Sequence, residues 1–167
     1  MTIRSDEELI AAIAQEDAGA LRLLYDRHVG RVYSVALNHL RSEVDAEEVT
    51  QDVFAKVWRA AASFRYNSQV TTWIYRITVN TSLSALKKRR GRGLFSVFGS
   101  VNEPSDHQHP ENALEEQEAN QTLFTSIYRL PTRQKTVFVL SYVEDLPRQE
   151  VADITQLSLK AVEGLLM

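Results

Sequence analysis

The sequence contains no cysteine, which excludes disulfide bonds, thiol catalysis and cysteine-ligated zinc sites. No apolar run approaches the roughly 20 residues that a membrane-spanning helix needs. The first residues, MTIRSDEELIAA, also lack the apolar stretch of a secretory signal. The remaining composition, 44% apolar and 25% charged over 167 residues, is typical of one ordinary globular domain or two small ones. These features together predict a cytoplasmic protein without membrane insertion.

Acidic residues are absent from residues 53–102, although acids outnumber bases over the whole chain by 22 to 19. A surface that serves only solubility normally mixes glutamate with lysine. The gap therefore favours one strongly positive face, with a polyanion such as nucleic acid as its partner. The basic residues inside the gap are Lys56, Arg59, Arg65, Arg76, Lys87, Lys88, Arg89, Arg90 and Arg92.

Every periodic segment of the sequence has helical spacing, and none alternates as a strand does. Ser5 and Glu8 form a capping-box pattern that predicts the start of the first helix. Asp45, with Glu48 three residues on, predicts that a third helix begins at Asp45. A fourth helix is expected over about residues 71–90.

Glycine, proline, serine and asparagine dominate residues 91–112, a composition that marks a linker. Helical spacing resumes from Ala113. The sequence therefore predicts an all-α protein of two small helical domains joined by a flexible linker. We place a four-helix domain in residues 1–94, the linker in residues 95–112 and a helix-turn-helix domain in residues 113–167.

The end of the chain has the pattern of a helix-turn-helix. Pro147 suits the first turn of a short helix, and Ser158 can cap a second helix after a tight connection at residues 155–157. In a helix-turn-helix the second helix enters the major groove; the alternative is an ordinary helical hairpin inside a core. The second helix has only about ten residues, on the order of 15 Å, and Lys160 is its only base. We therefore expect the natural protein to continue past Met167 with further basic residues.

Aromatic, basic and amide side chains are interspersed over residues 63–80. Aromatic rings offer stacking surfaces for unpaired bases, guanidinium groups follow phosphates, and amides can read base edges. The combination favours contact with separated DNA strands, although an aromatic at helical spacing is more often part of a core. The residues concerned are Phe64, Arg65, Tyr66, Asn67, Gln69, Trp73, Tyr75, Arg76 and Asn80.

The helix predicted over residues 71–90 carries two apolar stripes on roughly opposite sides. One stripe must face a core, and the other needs a second partner. Asn80 lies two turns from Trp73 on nearly the same side, so the two are predicted to border one pocket. The first stripe consists of Trp73, Ile74, Ile77, Thr81 and Ala85, and the second of Tyr75, Val79, Leu83 and Leu86.

Five segments of the chain resemble the sigma factors of bacterial RNA polymerase, specifically those of the extracytoplasmic-function type. The segments occur in that family's order and at its spacings, over nearly the whole chain except the linker. They are LYDRH at 24–28, DAEEVTQDVF at 45–54 with Trp58, TWIYRITVN at 72–80, LPTRQ at 130–134, and EVA at 150–152 with KAVE at 160–163.

The resemblance implies that the chain directs RNA polymerase to promoters and has neither catalytic activity nor a cofactor. Residues 1–94 would bind the clamp of the core polymerase and the −10 promoter element, and residues 113–167 would bind the −35 element. The linker would pass through the active-site cleft of the polymerase. The implied partners are core RNA polymerase, promoter DNA and an anti-sigma factor. Because the basic end of the family's recognition helix is missing, the second domain is expected to be truncated.

The resemblance also assigns individual residues to three surfaces. The polymerase-binding set is Glu48, Gln51, Asp52 and Trp58. The −10 set is Phe64, Arg65, Tyr66, Asn67, Trp73, Arg76, Asn80, Lys87, Lys88, Arg89 and Arg90. The −35 set is Arg148, Ser158, Lys160 and Glu163.

Two other classes of function remain open at this point. A conventional helix-turn-helix regulator that acts without polymerase explains residues 130–167 but leaves the basic, aromatic helix unexplained. An enzyme or metal protein would have to use the histidines, yet no matched carboxylate spacing accompanies them. No glycine-rich phosphate loop is present, since Gly91-Arg-Gly93 is too short and no helix pattern follows it. The histidines are His28, His39, His107 and His109.

Overall fold

The computed structural model describes the backbone of residues 3–96 and 114–167 and the side chains of residues 3–92 and 121–167. The described backbone consists of helices and short connections without a strand, which confirms the all-α prediction. His107, His109 and nearly all of the linker predicted at residues 95–112 lie outside the described residues. Each helix in the described ranges is too short or too polar to cross a lipid bilayer.

Residues 3–96 contain four helices. Ser5 begins the first of them with the predicted capping box: its hydroxyl accepts a hydrogen bond from the Glu8 amide at 3.2 Å, and the Glu8 carboxylate accepts one from the Ser5 amide at 2.8 Å. A 3₁₀ turn at Ala61–Ser63 follows the third helix. The helices are α1 (Asp6–Ile13), α2 (Ala18–Leu40), α3 (Glu43–Ala60) and α4 (Val70–Ser96).

Helix α3 begins at Glu43, so the predicted start at Asp45 is wrong. Ser42 caps the helix, because its hydroxyl accepts a hydrogen bond from the Asp45 amide at 3.2 Å. Arg41 ends α2 in the left-handed region at φ 55°. Two residues therefore join α2 to α3, and the acidic side chain of Asp45 sits in the first turn, where the helix dipole favours it.

The core of the first half lies between α1, α2, α3 and one side of α4. The first stripe of α4 faces this core: Ile74 is buried in it, and Trp73 and Ile77 pack against it from the edge. Burying an aliphatic side chain of this size contributes about 1.5–3 kcal/mol. Leu86, which the sequence assigned to the second stripe, is also buried in this core.

Residues 114–167 contain four helices and a π-helical turn at Val139–Val143, and the last two of these helices form the predicted helix-turn-helix. Gln156 ends the first helix of that motif in the left-handed region at φ 57°. Ser158 caps the next one by accepting a hydrogen bond from the Ala161 amide at 3.1 Å. The elements are α5 (Leu114–Tyr128), α6 (Thr132–Phe138), α7 (Arg148–Thr155) and α8 (Leu159–Leu166).

The second stripe of α4 packs against the second half of the chain. Tyr75 and Val79 of α4, together with Val35 of α2, are buried in one apolar cluster with residues of α6, the π-helical turn, α7 and α8. We call this contact the interdomain interface. The interdomain interface therefore buries the second apolar stripe of α4, for which the first domain alone offers no packing partner. The second half contributes Val137, Leu140, Val151, Ala152, Ile154 and Val162.

Candidate nucleic-acid and polymerase surfaces

Three aromatic rings form a ladder from the core of the first half to its surface. The ring of Trp73 contacts that of Phe64 with centroids 4.7 Å apart, and Phe64 contacts Tyr66 edge-on at 4.8 Å. Trp73 and Phe64 pack against the core, while Tyr66 is 50% exposed. The inner rings thus hold the outer ring in place, and the outer ring keeps a face available for stacking.

The backbone of Tyr66 adopts a left-handed conformation with φ 55°. A bulky residue rarely adopts this region, and the conformation costs on the order of 1 kcal/mol. Such a strained backbone persists only where the surrounding packing holds the residue in place, and it is common at ligand-binding sites. Arg65 and Asn67 on either side are exposed, so the loop between α3 and α4 presents a ring, a guanidinium and an amide to solvent.

Arg76 and Asn80 of α4 lie along the interdomain interface. The Arg76 Nη2 atom donates a hydrogen bond of 2.7 Å to the backbone oxygen of Asp153 in α7, and its Nε is buried without a partner among the described residues. Asn80 is exposed and lines a groove of about 360 Å³ together with Arg76 and the end of α7. Trp73 is not among the residues that line this groove, and its ring contacts Phe64. The pocket shared by Asn80 and Trp73 stays a prediction.

A second groove runs between the loop before α4 and the helix-turn-helix. Its volume is about 560 Å³. The loop contributes Asn67 and Gln69 to one wall, and α7 contributes the carboxyl-bearing residues Glu150 and Asp153 to the other. The sequence predicted the loop as part of a DNA surface, whereas the facing acidic wall follows only from the tertiary structure.

The acidic face of α3 and the basic face of α4 border one depression. It has a volume of about 220 Å³. Glu48 and Asp52 from α3 line it together with Lys88 and Arg89 from α4. The family resemblance assigned the two acidic residues to polymerase binding and the two basic residues to DNA binding. The structure places all four at the same depression. Lys56, at the same depression, donates a hydrogen bond of 2.9 Å to the Thr81 hydroxyl and so connects α3 to α4.

The remaining residues assigned to polymerase and the −10 element are mostly exposed. Gln51 is exposed on α3, and Trp58 is half-buried against the core. The basic residues at 87–90 are all exposed on α4. Arg89 donates hydrogen bonds to the backbone oxygen of Leu40 at 2.8 Å and to the Asp45 carboxylate at 3.1 Å.

The residues assigned to the −35 element lie on the helix-turn-helix. Arg148 is exposed at the start of α7. Lys160 and Glu163 are exposed on α8, and their spacing of three residues puts them on the same side of that helix. The Ser158 hydroxyl is engaged as the cap of α8, so it holds the start of that helix in place.

Two of the four histidines have structural contacts. The Nε2 atom of His28 lies 2.7 Å from an Asp6 carboxylate oxygen. His39 is buried, with Nδ1 2.8 Å from the backbone oxygen of Val35 and Nε2 2.9 Å from the Thr136 hydroxyl. The side chains described contain no group of three His, Cys, Asp or Glu residues that could hold a metal ion. His28 and His39 therefore stabilise helix packing.

Sequence reasoning missed the polar contacts that cross the interdomain interface. The Ser34 hydroxyl donates a hydrogen bond of 2.6 Å to Glu144, and the Tyr75 hydroxyl donates one of 3.3 Å to the other oxygen of the same carboxylate. Burial and the nearby charge of Glu144 raise the pKa of Tyr75 to about 12. The unexplained second stripe of α4 was the signal that could have revealed this surface.

Comparisons with known proteins match both halves of the chain. Residues 24–92 match the family model described as Sigma-70 region 2, and residues 122–167 match the one described as Sigma-70, region 4. The chain is 27% identical to RNA polymerase sigma-H factor of Pseudomonas aeruginosa over 93% of this chain and 85% of that protein. It is 29% identical to ECF RNA polymerase sigma-E factor of Haemophilus influenzae over 90% of this chain and 83% of that protein.

Two solved structures share this fold. CnrH, in complex with the cytosolic domain of CnrY, superimposes with a TM-score of 0.71 at 24% identity over 96% of this chain and 89% of that one. The sigma factor RpoE of Bartonella quintana, in complex with the anti-sigma factor NepR, gives a TM-score of 0.68 at 17% identity over 87% and 88%.

The match in residues 24–92 decides against the conventional helix-turn-helix regulator, which left the basic, aromatic helix unexplained. Both matches follow the order that the sequence segments predicted. The chain belongs to the sigma-70 family of RNA polymerase sigma factors and, within it, to the extracytoplasmic-function type.

Proposed function

We propose that this sigma factor recognises the −10 element through the loop before α4 and α4 itself. The observation that supports this most is the aromatic ladder, which ends in the half-exposed ring of Tyr66 beside exposed Arg65 and Asn67. A base extruded from the non-template strand would stack on this ring. Asn80 and the basic residues at 87–90 would bind the neighbouring strand, so that affinity falls as salt rises.

Promoter opening on this surface would draw its free energy from binding alone. Extruding a base costs a few kcal/mol of unstacking, and stacking on an aromatic ring contributes about 1–3 kcal/mol per base. Edge hydrogen bonds from amides add to this contribution. One or two captured bases therefore suffice to hold an opened duplex. On this proposal the chain has no catalytic activity of its own.

The exposed face of α3 is our proposed contact with core RNA polymerase. Glu48, Gln51 and Asp52 are all exposed on this helix, within one turn of one another. Trp58 lies half-buried on the same helix and supports it against the core. Such an acidic face would attract a basic surface of the polymerase clamp, and electrostatic attraction of this kind accelerates association.

The helix-turn-helix is our proposed contact with the −35 element. Lys160 and Glu163 stand exposed on α8, the helix that enters the major groove in this motif. Arg148, at the start of α7, is placed to bind a phosphate of the backbone. The domain limits at residues 94 and 113 remain a prediction.

We further propose that an anti-sigma factor regulates this chain and that both act in the cytoplasm. The support comes from the two similar solved structures, in which sigma factors are bound to CnrY and to NepR. Relatives that match most of the chain are named as RNA polymerase sigma factors, and these names support a site of action together with that enzyme.

Transcription in vitro with core polymerase of Pseudomonas aeruginosa tests these assignments. A promoter library would first identify a template that the wild-type chain transcribes. We expect Asp52→Ala to weaken core binding in proportion to its loss of transcripts, while Glu47→Ala, an exposed neighbour outside the proposed contact, leaves both unchanged. Equal effects of the two variants would contradict the polymerase assignment.

A further inference from the structure

We propose that four basic side chains form a binding site for a small phosphate compound of the class of inorganic pyrophosphate. We call them the cation cluster, and they are Arg41, Arg89, Arg90 and Lys135. They come from the end of α2, the C-terminal part of α4 and α6. Neither Arg41 nor Lys135 belongs to the −10, −35 or polymerase sets, so the inference goes beyond the proposed function, and its failure would leave that function standing.

The ring of Tyr128, at the end of α5, brings two members of the cation cluster together. The Arg41 guanidinium carbon lies 3.6 Å from the centroid of this ring, and the Lys135 Nζ atom lies 5.8 Å from the same centroid. Both cations are attracted to the face of the ring. Arg89 reaches the same place, because it donates a hydrogen bond of 2.8 Å to the backbone oxygen of Leu40, the residue before Arg41. The cluster is therefore held together by specific contacts.

The negative charge beside the cation cluster is too small to balance it. Among the described side chains, the carboxylate paired with the cluster is that of Asp45, 3.1 Å from Arg89. The backbone oxygens at the end of α2 add about half a negative charge, and the Lys135 Nζ atom lies 3.4 Å from that of His39. Capping of α2 thus explains part of the cluster. An excess of about two positive charges remains.

Lys135 is the member of the cluster for which an anion would matter most. The residue is only 7% exposed, and its one hydrogen bond to a described residue is the long contact with the His39 backbone oxygen. Burial and the positive charges of Arg90, Arg41 and Arg89 lower the pKa of its ammonium group. A buried charge is costly unless it is paired, so an anion bound beside Lys135 would offset that cost.

The chemistry of the cluster favours a phosphate compound with several charges. A guanidinium group can donate two parallel hydrogen bonds to a phosphate, and an ammonium group adds a compact point charge. Arg41 and Arg90 are exposed, so the cluster is open to a ligand from solvent. A DNA backbone carries one charge per phosphate, whereas pyrophosphate brings more than two charges to one place and offsets the whole excess. Inorganic pyrophosphate is therefore the simplest probe of the site.

Isothermal titration calorimetry of the full chain with inorganic pyrophosphate tests this site. We expect saturable binding of one pyrophosphate per chain, with an affinity that falls as salt rises. Lys135→Met and Arg41→Gln should each weaken binding at least tenfold, since each removes a hydrogen bond between charged groups. Arg59→Gln makes the same change in net charge at an exposed position of α3 outside the cluster, and it should bind pyrophosphate as the wild type does.

Thermal unfolding separates loss of the site from loss of the fold. Pyrophosphate should raise the melting temperature of the wild type and of Arg59→Gln but not that of Lys135→Met, because a ligand stabilises only a fold that binds it. Without pyrophosphate, Lys135→Met should melt no lower than the wild type, since it replaces a buried charge by an apolar side chain of similar length. If Lys135→Met fails to fold, the exposed substitution Arg41→Gln decides the question.

Two results would overturn the pyrophosphate site. The first is the absence of saturable binding to the wild type up to about 10 mM pyrophosphate. The second is an equal loss of affinity in Arg59→Gln and Lys135→Met, which would reduce the effect to net charge. A double-stranded oligonucleotide distinguishes the other source of phosphate: if Lys135→Met weakens its binding while the wild type does not bind pyrophosphate, the cluster contacts the DNA backbone and the proposed ligand is wrong.

Discussion

Protonation of His39 offers a quantitative test of the packing between the two halves. Burial is the main cause of a pKa lowered from 6.5 to about 4 for this imidazole; the hydrogen bond to the Val35 backbone oxygen opposes the shift, and the nearby positive charge of Lys135 adds to it. The imidazole is therefore neutral in the folded chain at neutral pH. Its Nδ1 then carries the proton that the Val35 backbone oxygen accepts, and Nε2 lies 2.9 Å from the Thr136 hydroxyl oxygen.

The sign of the pH dependence follows from this depressed pKa. In the unfolded chain His39 is in contact with water and binds a proton as the pH falls below 6.5. In the folded chain the buried imidazole stays neutral down to about pH 4. The stabilisation is thus complete above pH 6.5 and is lost as the pH falls toward 4. Between pH 8 and pH 5 this linkage lowers the free energy of unfolding by about 2 kcal/mol.

Urea unfolding at pH 8 and pH 5 measures this loss, with His39→Gln as the control. The glutamine amide can still donate and accept hydrogen bonds but cannot be protonated. Between pH 8 and pH 5 the free energy of unfolding of the variant should therefore fall by about 2 kcal/mol less than that of the wild type, because all other titrating groups are the same in both proteins. NMR of the imidazole carbon-bound protons gives the pKa itself. A midpoint near 6.5, or equal pH dependence of the two proteins, would refute the burial of His39 against the second half.

Three further predictions address the −10 surface and the first half. Asn80→Ala should slow open-complex formation, measured by permanganate reactivity of the promoter, more than it weakens core binding; equal losses would indicate misfolding. Tyr66→Ala should reduce binding to a single-stranded −10 probe about tenfold or more, because it removes a stacking ring, whereas Tyr66→Phe should retain binding in the same fluorescence assay. Burial alone would raise the pKa of Asp6, but hydrogen bonds and charge from Arg27 and His28 outweigh burial and lower it. The carboxylate therefore stabilises the fold at neutral pH and ceases to do so as the pH falls through its lowered pKa, and Asp6→Asn should lose about 1–2 kcal/mol in urea unfolding at pH 7.

Much of the local structure can be read from short segments of the chain. The Ser5–Glu8 capping box and the Ser158 cap depend on residues three positions apart, and the structure confirms both. The start of α3 was predicted two residues late because Ser42 and Asp45 are both good caps, and only the backbone geometry after Arg41 selects the serine. Boundaries of this kind depend on a competition that sequence spacing does not resolve.

The candidate site also combines features that the sequence predicted with features that it did not. The basic and aromatic composition of residues 63–92 indicated a nucleic-acid surface, and the order of the five segments indicated the family, because both are properties of the chain itself. The contact of Trp73 with Phe64 and the hydrogen bond from Tyr75 to Glu144 follow from the tertiary structure alone.

Local patterns in the sequence were enough to predict an all-helical chain, the caps at Ser5 and Ser158 and the location of positive charge, since each depends on interactions within a few residues. The sequence also determined that α4 carries two apolar stripes, although not what the second stripe would contact. That contact joins residues about 70 positions apart, as in the hydrogen bond from Tyr75 to Glu144. Such pairs depend on how two separately formed helical units dock, and docking is decided by the shape and polarity of whole surfaces, which no local pattern specifies.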